Sequence, residues 1–294
     1  MHFMRRTKAD LVDKIAIPAR NEYIVRCNLT KTQLDVYTAY LTDALKLFDG
    51  RHHDSLPVAY MVVQNLRKIC NHPFIFFEHH LKSLTIGERT HYHKEVSHCD
   101  VFKHYKWIKE SSVKTFKEKC LDHIELSTKL KVLFRFLQQW NGKERVLVFS
   151  QTTTMLDVIE EKCKQDAFKY VRLDGQVKDT DRPAVIRTFT ESDDVFVFLM
   201  TTKVGGLGLN LAAATKVVVF DPDWNPMVDQ QATDRALRLK ADGGEMHEVM
   251  IYRLLVDDTV EEKVYHRQVF KKALATKILS NPRNDKLFDQ ETMK

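Results

Sequence analysis

Two groups of residues between positions 195 and 238 are equipped to handle phosphate. The first is Thr201, Thr202 and Lys203, followed by Gly205, Gly206 and Gly208. Hydroxyls and an ammonium stand beside glycines there, and a glycine-rich turn lets backbone N–H groups approach an anion because no Cβ intervenes. The second is Gln231, Arg235 and Arg238. At spacings of four and three, these side chains share one face of a helix. Guanidinium groups so placed can reach a γ-phosphate held by another domain and stabilise the charge on a transferring phosphoryl group. Between the two groups runs Asp221-Pro222-Asp223-Trp224-Asn225-Pro226, an acidic turn with a tryptophan between prolines. Each part alone also has a plain structural explanation: tight packing for the glycines, a solvated ion-pair face with Asp229 and Asp234 for Arg235, a packing anchor for Trp224. The combination in one stretch is more specific than any part.

These groups need a scaffold, and from residue 127 onward the sequence supplies one. Helix 127–140 precedes strand 145–149, and helix 153–164, strand 169–173, helix 181–190 and strand 195–200 follow. Strand 217–220, helix 226–237 and strand 249–255 complete the series. Short β-branched runs alternating with helices predict a parallel sheet covered on both faces. Ligands of such sheets bind at the carboxyl ends of the strands. Ser150, Asp174, Thr201 and Asp221 each fall just after a predicted strand, on one common edge.

Before this series, residues 23–27 read as a short strand. Thr30 and Gln33 form a capping box that opens an amphipathic helix over 30–48. A second helix, 57–70, ends at Asn71-His72-Pro73. The chain closes with a helix over 259–279, opened by a box from Thr259 to Glu262 and basic through Lys263, Arg267, Lys271, Lys272 and Lys277. The expected division is a linker and helical segment (1–125), an α/β lobe (126–255) and a terminal helix with its tail (256–294).

Composition narrows the classes. The 294 residues, 44% hydrophobic and 29% charged, suit one or two globular domains. A net charge of +6 permits an anionic partner without demanding one. No apolar run reaches the length of a membrane span, so no membrane partner is expected. The 5 cysteines form no C-x-x-C pair and read as free thiols of a reducing compartment. His91, His93, His98, Cys99 and His104 fit no zinc-finger spacing and read as part of a solvated helical insertion, so no metal site is expected. There is no G-x-S-x-G elbow, no G-x-x-x-x-G-K-[ST] loop and no D-E-x-[HD] box. Nothing here holds a triphosphate and its Mg²⁺ alone.

Taken in order, these phrases resemble the second half of an Snf2-family DNA motor, within helicase superfamily 2. Leu66-Arg67-Lys68-Ile69-Cys70-Asn71-His72-Pro73 is a signature phrase of that family. Residues 146–151 resemble its motif IV, 201–211 its motif V, 221–226 its D-P-D-W-N-P block, and Gln231, Arg235 and Arg238 its motif VI. The likeness spans about 3–282. Residues 4–10, 196–202 and 261–271 resemble the Cockayne syndrome group B repair branch and its fungal counterparts.

The resemblance implies a RecA-like lobe with a parallel sheet flanked by helices, preceded by a helical protrusion and followed by a brace helix. It implies that Ser150, Gln151, Thr201, Thr202 and Lys203 grip one strand's phosphate backbone in double-stranded DNA, with Trp224 close by. Gly206 and Gly208 then shape the nucleotide side of a cleft. Gln231, Arg235 and Arg238 face ATP and Mg²⁺ held mainly by a first lobe outside this chain, so this chain alone is expected to be inactive. The implied role is sequence-independent translocation in transcription-coupled repair in the nucleus, with RNA polymerase or nucleosomes as further partners. Nucleosome remodelling and a catalytically impaired interaction platform are the alternatives. Two positions depart from the family pattern. Lys203 stands where Arg is usual, which keeps the charge but loses the bidentate fork. Leu239-Lys240-Ala241 replaces the usual Ile-Gly-Gln after Arg238, with a longer connection.

Overall fold

Six parallel strands among the described residues position the candidate site. The computed structural model describes residues 20–46, 56–77, 120–205, 211, 213–236 and 248–280. The strands are β1 (Arg20–Cys27), β2 (Val146–Ser150), β3 (Tyr170–Leu173), β4 (Val197–Thr201), β5 (Lys216–Val219) and β6 (Val249–Val256). They lie side by side in the order β1-β6-β5-β2-β4-β3. The main helices are α1 (Lys31–Lys46), α2 (Leu56–Asn71), α3 (Thr128–Trp140), α4 (Thr153–Gln165), α5 (Arg182–Glu191), α6 (Pro226–Thr233) and α7 (Val260–Ser280).

The central strands β2, β4 and β5 are buried on both faces, which is why they are apolar almost throughout. Val146 and Val148 of β2 and Val197 and Leu199 of β4 face one core, together with residues of α1 to α4. Leu147, Phe149, Phe198 and Met200 face the other, with Phe189, Ala232 and Ala236. Alternate residues of a strand point to opposite faces, so a strand covered twice has no polar side.

The carboxyl ends of β2, β3, β4 and β5 share one edge, as expected. Two residues sit one step earlier than the sequence suggests. Ser150 and Thr201 are the last residues of β2 and β4 and are register partners, not the first residues beyond them. The segment after β4 is a single helical turn, Thr202–Gly205, not an open Thr-Thr-Lys turn. The reason lies in Gly205. A Cβ built there meets Phe149 Cε1 at 2.5 Å and Ala232 Cβ at 3.3 Å, so only glycine lets this turn lie against β2 and α6.

Residues 20–77 are less separate than the expected division has them. β1 pairs with β6 over its full length, from Arg20↔Val249 to Cys27↔Val256, with Tyr23 stacked on its partner Tyr252 at 5.4 Å. The helical segment is rooted in the same core as the sheet: Val36, Tyr40, Leu66, Ile69 and Cys70 pack with Leu130 and Leu133. Its other end, toward residues 47–55, presents Leu45 and Leu56 to solvent. The capping box at Thr30 is reciprocal, with Gln33 N–H donating to Thr30 Oγ1 and Thr30 N–H to Gln33 Oε1, both at 3.2 Å. The box at α7 is displaced. Thr259 Oγ1 accepts from Glu261 N–H at 3.2 Å, and Glu262 accepts from Asp258 N–H at 3.0 Å.

Gly206, Gly208, Arg238, residues 239–244, the His- and Cys-bearing stretch 91–104 and the phrase 4–10 lie outside the described residues. Cys27, Cys70, Cys120 and Cys163 are free, buried thiols. No helix among the described residues is long and apolar enough to cross a membrane.

Candidate functional site

The site gathers at the carboxyl edge, where β5, β2 and β4 lie side by side. Ser150 is fully buried, and its hydroxyl donates to Asp221 Oδ1 at 2.8 Å. Gln151 N–H donates to the same oxygen at 3.1 Å. The resemblance assigns Ser150 to a phosphate grip. In the structure its hydroxyl instead locks the end of β2 to the turn after β5. Gln151, one residue further along, is half-buried as a residue, with its Nε2 buried.

Asp221 is itself held from the far side of the sheet. Its Oδ2 accepts from Asn71 Nδ2 at 3.4 Å, and Asn71 Oδ1 accepts from Lys129 Nζ at 3.1 Å. Lys129 then pairs with Glu261 Oε1 at 2.5 Å, both side chains having no exposure, and lies over the Phe220 ring at 5.4 Å. Glu261 Oε2 accepts Val256 N–H at 3.2 Å. A continuous buried polar chain thus runs from the first turn of α7, through α3 and the end of α2, to β2. Burying charge is costly unless every lone pair and proton finds a partner. Here the partners are in place.

The end of α2 is tied down equally well. The carbonyls of Ile69 and Cys70 accept from Gln33 Nε2 at 2.9 and 3.0 Å, and that of Asn71 accepts from Ser127 Oγ at 2.5 Å. These groups satisfy the helix's terminal acceptors inside the protein. His72 accepts Phe74 N–H on Nδ1 at 3.1 Å, and its Nε2 lies 3.2 Å from the His123 carbonyl. Burial lowers its pKa from 6.5 to about 4, so the ring is held neutral.

On the other side of the Asp221 turn, Asp223 N–H donates to both oxygens of the buried Asp229, at 3.2 and 3.1 Å. Asp229 also accepts from Arg253 at 3.3 Å and from Gln268 Nε2 at 3.0 Å. Burial raises its pKa against these donors. Asn225 caps α6 by accepting Met227 N–H at 3.1 Å, with Pro226 at the first helical position.

The helix carrying the arginines is shorter than the sequence suggests. It ends at Thr233 and continues as tighter turns, with Asp234 N–H donating to the Gln230 carbonyl at 2.8 Å, Arg235 N–H to that of Ala232 at 3.2 Å and Ala236 N–H to that of Thr233 at 3.2 Å. Gln231 is therefore an exposed helical residue, whereas Arg235 lies in the turn beyond, half-buried. The turn meets the glycine segment: Leu211 N–H donates to the Arg235 carbonyl at 3.2 Å. Gly205 adjoins Ala232 at one end of that segment and Leu211 adjoins Arg235 at the other, so both ends of the glycine stretch reach the α6 side of the lobe.

The remaining candidates split by exposure. Lys203 is exposed, and Thr201 and Thr202 are buried. Thr202 Oγ1, Gln151 Nε2 and Trp224 Nε1 are buried without a hydrogen-bond partner. Each belongs to a segment leaving one of three adjacent strands. An unsatisfied buried donor costs about 1–3 kcal/mol, and these three stand close to one edge. At the sheet's far edge, Asp174 is occupied by Arg172 at 2.7 Å, which also binds Asp157 and Glu160, each at 2.6 Å. Nothing in the sequence singles out Lys129, Glu261 or Gln268 for these roles, and Asp229, which reads as part of a solvated ion-pair face with Arg235, is buried and pairs with Arg253. The phrase around Arg67 and Asn71 was legible as a phrase, but its target was not.

A model of the helicase conserved C-terminal domain matches residues 128–240, and one of the SNF2-related domain matches 1–75. "Protein CHROMATIN REMODELING 8" of Arabidopsis thaliana is 36% identical over 296 residues, covering 100% of this chain and 21% of the relative. "DNA excision repair protein CSB" of Oryza sativa subsp. japonica is 34% identical over 296 residues, again 100% of this chain and 21% of the relative. The chain thus spans about a fifth of the length of these relatives. Among solved structures, the C-terminal part of the Fun30 ATPase domain superposes with a TM-score of 0.61 and 26% identity, over 86% of this chain and 90% of that one. The parallel sheet with flanking helices is therefore that of an Snf2-type ATPase C-terminal lobe.

Proposed function

The chain belongs to the Snf2-related family of helicase-like ATPases, and from that premise we propose that it is the second motor lobe of a sequence-independent double-stranded DNA translocase. The observation that carries this reading is the set of unpartnered donors, Gln151 Nε2, Thr202 Oγ1 and Trp224 Nε1, on the edge that also presents Lys203. Donors without base-reading geometry suit phosphate oxygens, which carry no sequence information. Thr201 and Ser150 support this surface from within. Arg235, with Gln231, Arg238, Gly206 and Gly208, serves the other polyanion, ATP on the first lobe. Among the described residues no three His, Cys, Asp or Glu side chains come together as metal ligands. The Mg²⁺ that accompanies the nucleotide in this family is assigned to the first lobe. ATP closes the two lobes and hydrolysis releases them, so the two phosphate grips advance by turns.

The names of several relatives point to DNA repair, and we place the protein in the nucleus, in transcription-coupled repair. The relative named for chromatin remodelling keeps one rival in view, a nucleosome remodeller with the same motor. Nucleosome sliding assayed beside binding to a stalled polymerase separates the two. The motor reading itself is tested by Arg235→Ala in the full-length protein. DNA-stimulated ATP hydrolysis is expected to fall by about 10³-fold or more while DNA affinity survives. Near-normal turnover removes Arg235 from the nucleotide.

A further inference from the structure

Each residue of the turn from Asp221 to Trp224 is held by a side chain from α2 or α7, neither of which adjoins the turn in sequence. Asn71 Nδ2 donates to the Asp221 carboxylate at 3.4 Å. The Arg67 guanidinium donates to the Pro222 carbonyl. Gln268 Nε2 donates to the Asp223 carbonyl, and Lys271 Nζ lies 3.4 Å from that of Trp224. The first two come from α2 and the last two from α7. Both donors at the centre of the turn are buried, Arg67 at 5% exposure and Gln268 at 1%.

We infer that α2 and α7 together act as a clamp, with Arg67, Asn71 and Gln268 as positioning residues that set where the Asp221–Trp224 turn, and with it Gln151 and Trp224, stands on the DNA-facing edge. This rests on the DNA-facing reading proposed above and goes beyond it, because it makes the grip depend on two helices remote from the phosphate contacts. Stability alone does not account for Arg67. A buried guanidinium is expensive to desolvate, and among the described residues this one makes its hydrogen bond to a neutral carbonyl while its Nε finds no partner. A well-packed apolar side chain would serve the fold as well. The clamp is also tied to the rest of the lobe. Asp221 accepts from Ser150 and Gln151 on β2, so a shift of the turn is felt at the neighbouring strand end. Gln268 also binds Asp229, which holds Asp223 N–H, so a shift of α7 moves the turn and the start of α6 together. Anything that displaces α2 or α7 would thereby be read as a change in grip.

The experiment uses the full-length protein and measures ATP hydrolysis against duplex DNA concentration, with melting temperature recorded for each variant. Lys203→Ala is the control for the DNA-facing reading. Arg67→Met keeps the stem and removes the donor; Gln268→Glu keeps the shape, removes the donor and sets a carboxylate against Asp229. Both are expected to raise the DNA concentration for half-maximal stimulation by about tenfold, the loss of one charge-assisted or buried hydrogen bond. Turnover at saturating DNA and without DNA is expected to stay within about twofold of the parent, and Arg67→Lys to recover most of the loss. If Lys203→Ala weakens DNA stimulation while Arg67→Met and Gln268→Glu, both folded, match the parent, the clamp is wrong and the DNA-facing edge stands. If Lys203→Ala itself changes nothing, the edge reading fails first. Should Arg67→Met lower the melting temperature, Gln268→Glu and Arg67→Lys decide by the same readout.

Discussion

Two turns leave the same edge of the sheet and are built in opposite ways. The turn after β5 is fastened at every residue, by Asn71, Arg67, Gln268 and Lys271, and by Asp229 at its backbone. Among the described residues the turn after β4 shows no such ties. It is wedged by shape, with Gly205 against Phe149, and it leaves Thr202 Oγ1 without a partner and Lys203 in solvent. One turn spends its polar groups on the protein; the other keeps them for something else. A surface that binds phosphate needs both: free donors, and a fixed neighbour to hold them in register.

The comparison breaks most severely at the buried ion pair behind the fastened turn. Lys129→Met leaves Glu261 buried without its cation, and a loss of about 3–5 kcal/mol is expected. The double variant Lys129→Met/Glu261→Met is expected to recover most of that, because an apolar pair of similar volume replaces a desolvated one. Chemical denaturation checks both, and equal losses in single and double variants would mean that the pair is not the source.

Next in size is a pH effect at the end of α2, which carries Arg67 and Asn71. The His72 ring stays neutral in the fold down to about pH 4, whereas in the unfolded chain it protonates below about 6.5. The unfolded state therefore binds a proton that the native state does not, and stability falls as pH drops from about 6.5 to about 4. The difference between these values corresponds to about 3 kcal/mol. Unfolding followed across that window is expected to show this dependence in the parent and to lose one proton's worth of slope in His72→Gln.

The wedged turn is sharpened by Gly205→Ala. The added methyl falls 2.5 Å from Phe149 Cε1. Overpacking of this kind costs about 1–3 kcal/mol, and Phe149→Leu in the same chain is expected to return part of it. Thermal melting of the three variants decides. A Gly205→Ala variant as stable as the parent would free this glycine from its packing role.

Much of the scaffold is legible in the sequence because local periodicity carries it. The apolar runs of β2, β4 and β5 announce a sheet covered twice, and Thr30 with Gln33 announces a helix start that forms as read. What escapes are contacts between residues far apart along the chain. β1 joins β6 across more than two hundred positions, and nothing local in Arg20–Cys27 says which edge it will meet. Ser150 reads as a surface hydroxyl until Asp221 is seen beside it. Glu261 reads only as the first residue of the phrase 261–271, yet its carboxylate belongs to Lys129. The α6 helix reads as running on to residue 237, but it ends at Thr233 and tighter turns follow through Ala236. The family phrases point to neighbourhoods; which polar atoms the fold consumes and which it leaves over depends on the packing.

The most direct test of that division lies in the salt dependence of DNA binding. Log affinity for duplex DNA, plotted against log salt for the full-length protein, should lose about one unit of slope on Lys203→Ala, uniformly across DNA sequences. An unchanged slope would contradict the account, because the exposed cation beside the unpartnered donors would then not be meeting phosphate.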